Sequence, residues 1–158
     1  MLAAKNVNAV VKAFLDAFED KLPLLQPLSI GEPQRVRTQG VHGEIVLGAL
    51  LLGDTEGKIT FVWTWEGAFR FIEQLTQTKV DTYSESTQKI LEELLASALQ
   101  RLVVNFGQEG KKLQPYVLPT SVDASVLVSV RHDASAVKIP LLSAIGSVEL
   151  ILSMESAN

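Results

Sequence analysis

Near the start of the chain, apolar residues recur at three- and four-residue spacing. Ala9, Val10, Ala13, Phe14, Ala17 and Phe18 form one stripe, and Lys5, Lys12, Asp16, Glu19 and Asp20 fall mostly outside it. That period predicts an amphipathic helix, stopped by Pro23. A less regular stretch with Pro23, Pro27 and Pro33 follows. It has room for one short edge strand, because proline is tolerated at sheet edges. The pattern then changes to strands: a weak signal over 34–38, a mostly apolar run over 44–52 and an alternating run over 58–65. Gly53-Asp54-Thr55-Glu56-Gly57 lies between the last two and predicts a hairpin connection. In its second arm Phe61, Trp63 and Trp65 share one face, and Thr60, Val62 and Thr64 the other.

Two helices are predicted next. The first covers 66–76 and carries Phe69, Phe71, Ile72 and Leu75; the second covers 83–106, with Ile90, Leu91, Leu94, Leu95, Ala98, Leu99, Leu102 and Phe106 on its apolar face. Thr82 and Glu85 have capping-box spacing at the start of the long helix, and Gly107 and Gly110 mark its end. Strands return in the last third, over 125–131, 136–142 and 148–154. Arg131-His132-Asp133 reads as a turn, and Gly146 turns the chain before the last strand. Strand blocks separated by helices, without strict alternation, predict the α+β class with a mainly antiparallel sheet. At 158 residues the expectation is a single domain over 1–158.

Composition narrows the chemistry. A hydrophobic share of 47% excludes wholesale disorder, and the absence of cysteine excludes disulfides, thiolate metal sites and cysteine nucleophiles. The net charge of -4 argues against a nucleic-acid partner, whose binders are normally basic. A membrane partner is not expected either: the longest apolar stretch, 45–52, is interrupted by Gly48, whereas a spanning helix needs about 20 apolar residues. The first residues lack a basic start followed by an apolar run, so the expected compartment is the cytoplasm.

The local motifs are mostly structural. The run 53–58 falls one residue short of a phosphate-binding loop and has Ile59 where Ser or Thr is needed, so a hairpin turn is the better reading. His42 and His132 sit near predicted strand ends without a ligand cluster around them, and no metal is expected. No Gly-x-Ser-x-Gly or serine-triad pattern is present. The Phe61, Trp63 and Trp65 stripe reads as core beneath the helices. On the long helix Lys89, Glu93, Ala96 and Gln100 fall within about 60° of one another, an outward stripe.

Three strings carry a resemblance. Asn8-Ala9-Val10-Val11-Lys12-Ala13-Phe14 opens the first helix, with Gly31-Glu32-Pro33 before the first strand. The stretch 48–69 holds a hairpin with a central Gly-Asp turn leading directly into a helix. The third is Lys89-Ile90-Leu91-Glu92-Glu93-Leu94-Leu95-Ala96 in the long helix. Together they resemble the CheX branch of the CheC/CheX/FliY chemotaxis phosphatase family. The resemblance implies a CheC-like fold, a homodimer using sheet edges, and a CheY-type receiver domain as partner. It also implies the family reaction, hydrolysis of the receiver's phospho-aspartate by a Glu-x-x-Asn motif. An acyl phosphate hydrolyses unaided, and the carboxamide has only to hold a water in line with phosphorus. The glutamate, one turn earlier, fixes docking by pairing with a receiver lysine.

This chain departs from the motif. Aligned on Glu93, the motif asparagine falls on Ala96; aligned on Glu92, it falls on Leu95. Neither side chain can hydrogen-bond a water. Glu92 lies nearer the apolar edge, which favours the Glu93 register. The candidates implied are Glu93 and Gln100 for any remaining chemistry, with Gln100 about 6 Å along the axis from Ala96, and Lys89, Glu93 and Ser97 for partner binding. Glu85-Ser86-Thr87-Gln88 formally reads Glu-x-x-Gln, but its glutamate is better explained by capping. No cofactor of the chain's own is expected; a receiver would bring its own Mg²⁺. Three readings stay open: receiver docking with chemistry weakened or lost, a phosphatase with a variant water-holding residue, and a purely structural dimerisation domain.

Overall fold

The computed structural model describes residues 4–21, 29–36, 40–128, 136–143 and 146–156. Their centre is the hairpin of β3 (Gly40–Gly53) and β4 (Thr55–Trp63). Around it stand β1 (Ser29–Ile30), β2 (Gln34–Val36), β5 (Leu113–Val117), β6 (Ser121–Leu127), β7 (Ala136–Ser143) and β8 (Gly146–Ser156). Among the described residues these make one eight-stranded sheet in the order β1-β7-β8-β4-β3-β5. β2 also pairs with β7 and β6 with β3, and every pairing is antiparallel. The α+β class with an antiparallel sheet is what the sequence predicts.

Helices α1 (Ala4–Lys21), α2 (Trp65–Thr76) and α3 (Glu85–Gln108) pack on one face of the sheet. Alternation on the strands supplies that face: Ile45, Leu47, Ala49 and Leu51 on β3, Ile59, Phe61 and Trp63 on β4, and Leu150, Leu152 and Met154 on β8. They share one core with Val10, Phe14 and Phe18 of α1 and Leu91, Leu94, Leu95, Leu102 and Phe106 of α3. At its heart Phe61 meets Phe14 edge-on at 4.9 Å and Trp63 at 5.2 Å between ring centroids. The opposite face carries a smaller cluster of Val46, Val62, Val128, Ala136 and Ile151.

Local chemistry shifts several predicted boundaries. β3 runs to Gly53 and β4 begins at Thr55, but their last pair with each other is Leu51 with Gly57, so residues 52–56 connect the two arms, the predicted length set one position earlier. Gly53 sits at φ +122° with its α-carbon against the Lys112 carbonyl, and the Asp54 carboxylate accepts from the Lys112 N–H at 2.7 Å. Thr55, Glu56 and Gly57 already belong to β4. Thr64 leaves the strand to cap α2, its hydroxyl accepting from the Gly67 N–H at 3.0 Å, so Trp65 is the first residue of α2 and not part of the aromatic strand stripe. Its ring packs on Phe69 and Tyr83. The cap of α3 is Ser84, which accepts from the Thr87 N–H at 3.3 Å, in place of the predicted Thr82–Glu85 box. Gly110, at φ +76°, follows the end of α3 as expected, whereas Gly107 does not end the helix and lies within its last turn, which runs to Gln108. β5 was not predicted: Pro115 interrupts its pattern, and it survives on the sheet edge beside β3. β6 starts four residues before the predicted 125, and the predicted Arg131-His132-Asp133 turn and the Pro23 stop lie outside the described residues.

Gly57 faces the β8 backbone so closely that a β-carbon would overlap the Ser153 carbonyl. Gly57→Ala is therefore expected to cost about 1–3 kcal/mol. Urea unfolding would read this as a lower midpoint at an unchanged slope.

Candidate functional site

Helix α3 turns Leu91, Leu94, Leu95, Ala98, Leu99 and Leu102 into the core, and its other side faces out. Lys89, Glu93, Ala96 and Gln100 are exposed there and Ser97 is half-buried. Helical geometry sets Glu93 and Gln100 about 10 Å apart along the axis with the Ala96 methyl between them. The stripe continues through Val104, 51% exposed, an apolar side chain one turn beyond Gln100.

The two adjacent glutamates differ. Glu92 is half-buried, and its carboxylate accepts from the Thr120 hydroxyl at 2.7 Å and from the Gln88 amide at 3.5 Å. Gln88 in turn accepts from the Tyr83 hydroxyl at 2.7 Å. Burial, with the Glu92 charge second, pushes the Tyr83 phenol up from its ordinary range. This network ties the start of α3 to the residues just before β6. Glu93 points to solvent, and among the described residues no hydrogen bond or ion pair engages it.

Beside Gln100, α3 and α1 form a groove of about 510 Å³, lined by Lys12, Asp16, Ser97, Gln100, Arg101, Val104 and Asn105. Lys12 pairs with Asp16 at 2.7 Å, one turn apart, and Arg101 pairs with Asp20 across the two helices. Both helices thus present mixed charge around two amides, Gln100 and Asn105. The groove holds hydrogen-bond donors and acceptors, while Ala96, one turn before Gln100, offers only a methyl group. Sequence reasoning missed the α1 side of this groove and Asn105, because adjacency of α1 to α3 is a tertiary fact. Val104 was within reach, since it continues the stripe at four-residue spacing.

The other candidates resolve simply. The run 53–58 is turn and strand. His42 crosses from β3 to β6, where its Nε2 lies 3.0 Å from Asp123 Oδ1 and its Nδ1 3.4 Å from Ser125 Oγ. That order resembles a serine triad, but all three side chains are exposed, so water competes for every contact. Asp123 holds φ +48°, the strained residue of this pair of strands. His132 lies outside the described residues. Among the described residues no three His, Asp or Glu converge as metal ligands, and no helix is long and apolar enough to cross a membrane.

No protein-family model matches the chain, and no curated protein matches it. Solved structures do. A CheC-like superfamily protein from Shewanella sp. PV-4 superposes with TM-score 0.82 at 13% identity, covering 98% of this chain and 100% of that one. The chemotaxis protein CheX from Vibrio vulnificus gives TM-score 0.80 at 14% identity, covering 96% and 100%. A CheX–CheY–BeF₃–Mg²⁺ complex from Borrelia burgdorferi gives TM-score 0.71 at 17% identity, covering 95% and 97%. With its sheet, its three helices and this end-to-end coverage, the chain has the fold of the CheC-like and CheX chemotaxis proteins.

Proposed function

We propose that this chain is a CheX-like signalling domain, one domain over 1–158, that docks a CheY-type receiver through the outer face of α3 and has lost the phosphatase chemistry. The observation that carries the reading is the state of Glu93. It stands exposed and unengaged at the middle of the stripe, whereas its neighbour Glu92 is committed to Thr120 and Gln88. An unpaired carboxylate on a rigid helix is suited to a receiver lysine, because such a bond is charge-assisted and its geometry is set in advance. The missing amide at Ala96 favours docking over catalysis. The structural likeness to a CheX bound to CheY supports the choice of partner. We place the domain in the cytoplasm, with receivers, and as a homodimer along the sheet edge where Tyr116, Val117, Val122 and Leu127 are exposed.

Glu93→Ala is expected to weaken binding to a phosphorylated receiver from the same organism about tenfold or more, the worth of one hydrogen bond to a charged group. Titration calorimetry against receivers carrying a stable phosphate mimic measures it. Equal affinity of wild type and variant would remove Glu93 from the interface, and no binding to any receiver would leave the structural reading. One observation favours a second reading: Gln100 lines the α1–α3 groove, where its amide has room to hold a water. The lifetime of receiver aspartyl phosphate separates the two, being unchanged by the wild type if chemistry is lost and shortened, in a Gln100-dependent way, if it is not.

A further inference from the structure

The run 45–52 of β3 is apolar on both of its faces. The helices cover one face, where Ile45, Leu47, Ala49 and Leu51 are buried. An antiparallel sheet with one free face normally alternates apolar and polar residues. β3 departs from that rule on its outer face. Val46, at one end of that face, is covered by the small cluster with Val62 and Ile151. At the other end Leu50 is half-buried and Leu52 is 45% exposed, so the apolar face is left open there.

The strand register sets this open end in two rows. Leu50 stands opposite Tyr116 on β5 and Lys58 on β4, which gives a row Tyr116-Leu50-Lys58. Leu52 stands opposite Gln114, and Glu56 lies two residues before Lys58 on β4, hence on the same face. The second row is Gln114-Leu52-Glu56. Tyr116 is 46% exposed, and Gln114 and Glu56 are exposed as well. Among the described residues no ion pair engages Glu56 or Lys58; Lys58 donates to the Leu127 carbonyl at 2.5 Å. The rows match member by member: leucine with leucine, lysine with glutamate, phenol with carboxamide. A twofold axis running between the rows lays the first row of one copy on the second row of another. That is the self-complementarity an isologous contact requires.

We propose that this outer face binds a second copy of the chain, with Leu50 of each copy against Leu52 of the other and Glu56 of each paired with Lys58 of the other. A small apolar patch with a charged border suits weak, reversible association. The contact rests neither on receiver docking nor on pairing along the sheet edge. Sedimentation equilibrium of the full chain up to about 1 mM tests it, and the wild type is expected to self-associate within that range. Glu56→Lys sets lysine against lysine twice in the contact, and Lys58→Glu sets glutamate against glutamate twice. Each is expected to weaken self-association at least about tenfold. An equimolar mixture of the two restores both ion pairs and is expected to regain the wild-type average mass. Leu52→Ser, at an exposed strand end, makes the test without a charge and is expected to weaken association about tenfold. With Glu56→Lys it decides the matter should Lys58→Glu not fold. A monomeric wild type, or wild-type masses in both Glu56→Lys and Leu52→Ser, overturns the proposal. So does a mixture of the two folded charge variants that stays dissociated. Dissociation by Val122→Asp alone, on the sheet edge, would place the copies edge to edge and overturn it too.

Discussion

Ala96→Asn shortens the lifetime of aspartyl phosphate on a docked receiver, and the expected gain is on the order of tenfold to a hundredfold, the scale of a well-placed group that orients a reactant. The geometry this gain needs is already present. Ala96 is exposed on a helix whose opposite side is locked into the core by Leu94, Leu95 and Leu99, so a new carboxamide inherits a fixed backbone. Asparagine costs about 0.5–0.7 kcal/mol of helix propensity relative to alanine, which an 18-to-24-residue helical layer tolerates. It stands one turn from Glu93, the spacing at which one group docks and the other reaches the phosphoryl centre. The measurement is loss of radiolabelled phosphate from the receiver with wild type, Ala96→Asn and Ala96→Asn/Glu93→Ala. A gain in the single variant that the second substitution removes supports docking through Glu93. Tight binding without a gain would mean that α3 docks in a register that does not bring position 96 to the phosphate. Neither binding nor gain would leave α3 as solvated surface.

How far this was legible in the sequence differs between elements. Helix α3 was readable because its apolar residues keep a 3.6-residue period over six turns, which also identifies the outward stripe of Lys89, Glu93 and Gln100. The β3–β4 hairpin was readable from two hydrophobic runs around Gly53-Asp54. Boundaries failed where a single hydroxyl decided them. Thr64 and Ser84 become helix caps by bonding backbone N–H groups, and nothing in the periodicity distinguishes them from Thr82 or from a strand threonine. β5 was illegible because Pro115 breaks the local pattern and the edge of β3 accepts it for a tertiary reason. The choice between Glu92 and Glu93 was half legible: helical phase put Glu92 nearer the core. Its bond to Thr120, 28 residues on, belongs to the fold alone.

Phe61→Ala is the substitution expected to cost most in stability, about 3–5 kcal/mol, against total domain stabilities of about 5–15 kcal/mol. Phe61 lies on β4, which pairs with β3 on one side and β8 on the other, so the sheet backbone around it has little freedom to collapse into the space left. Its ring is fully buried and meets Phe14, Phe18 and Trp63 with centroids 4.9, 6.0 and 5.2 Å away. Each such pair adds about 0.5–1.5 kcal/mol beyond the area it buries. Urea denaturation of Phe61→Ala, Phe14→Ala and the double variant tests both the size and the cause. If α1 is fastened to the sheet through this contact, the two losses are not additive, and the coupling falls within about 0.5–3 kcal/mol. Additive losses would mean that Phe14 and Phe61 stabilise separate parts of the molecule. The groove between α1 and α3 would then owe its shape to the direct packing of the two helices and the Arg101–Asp20 pair, and not to the Phe14–Phe61 contact.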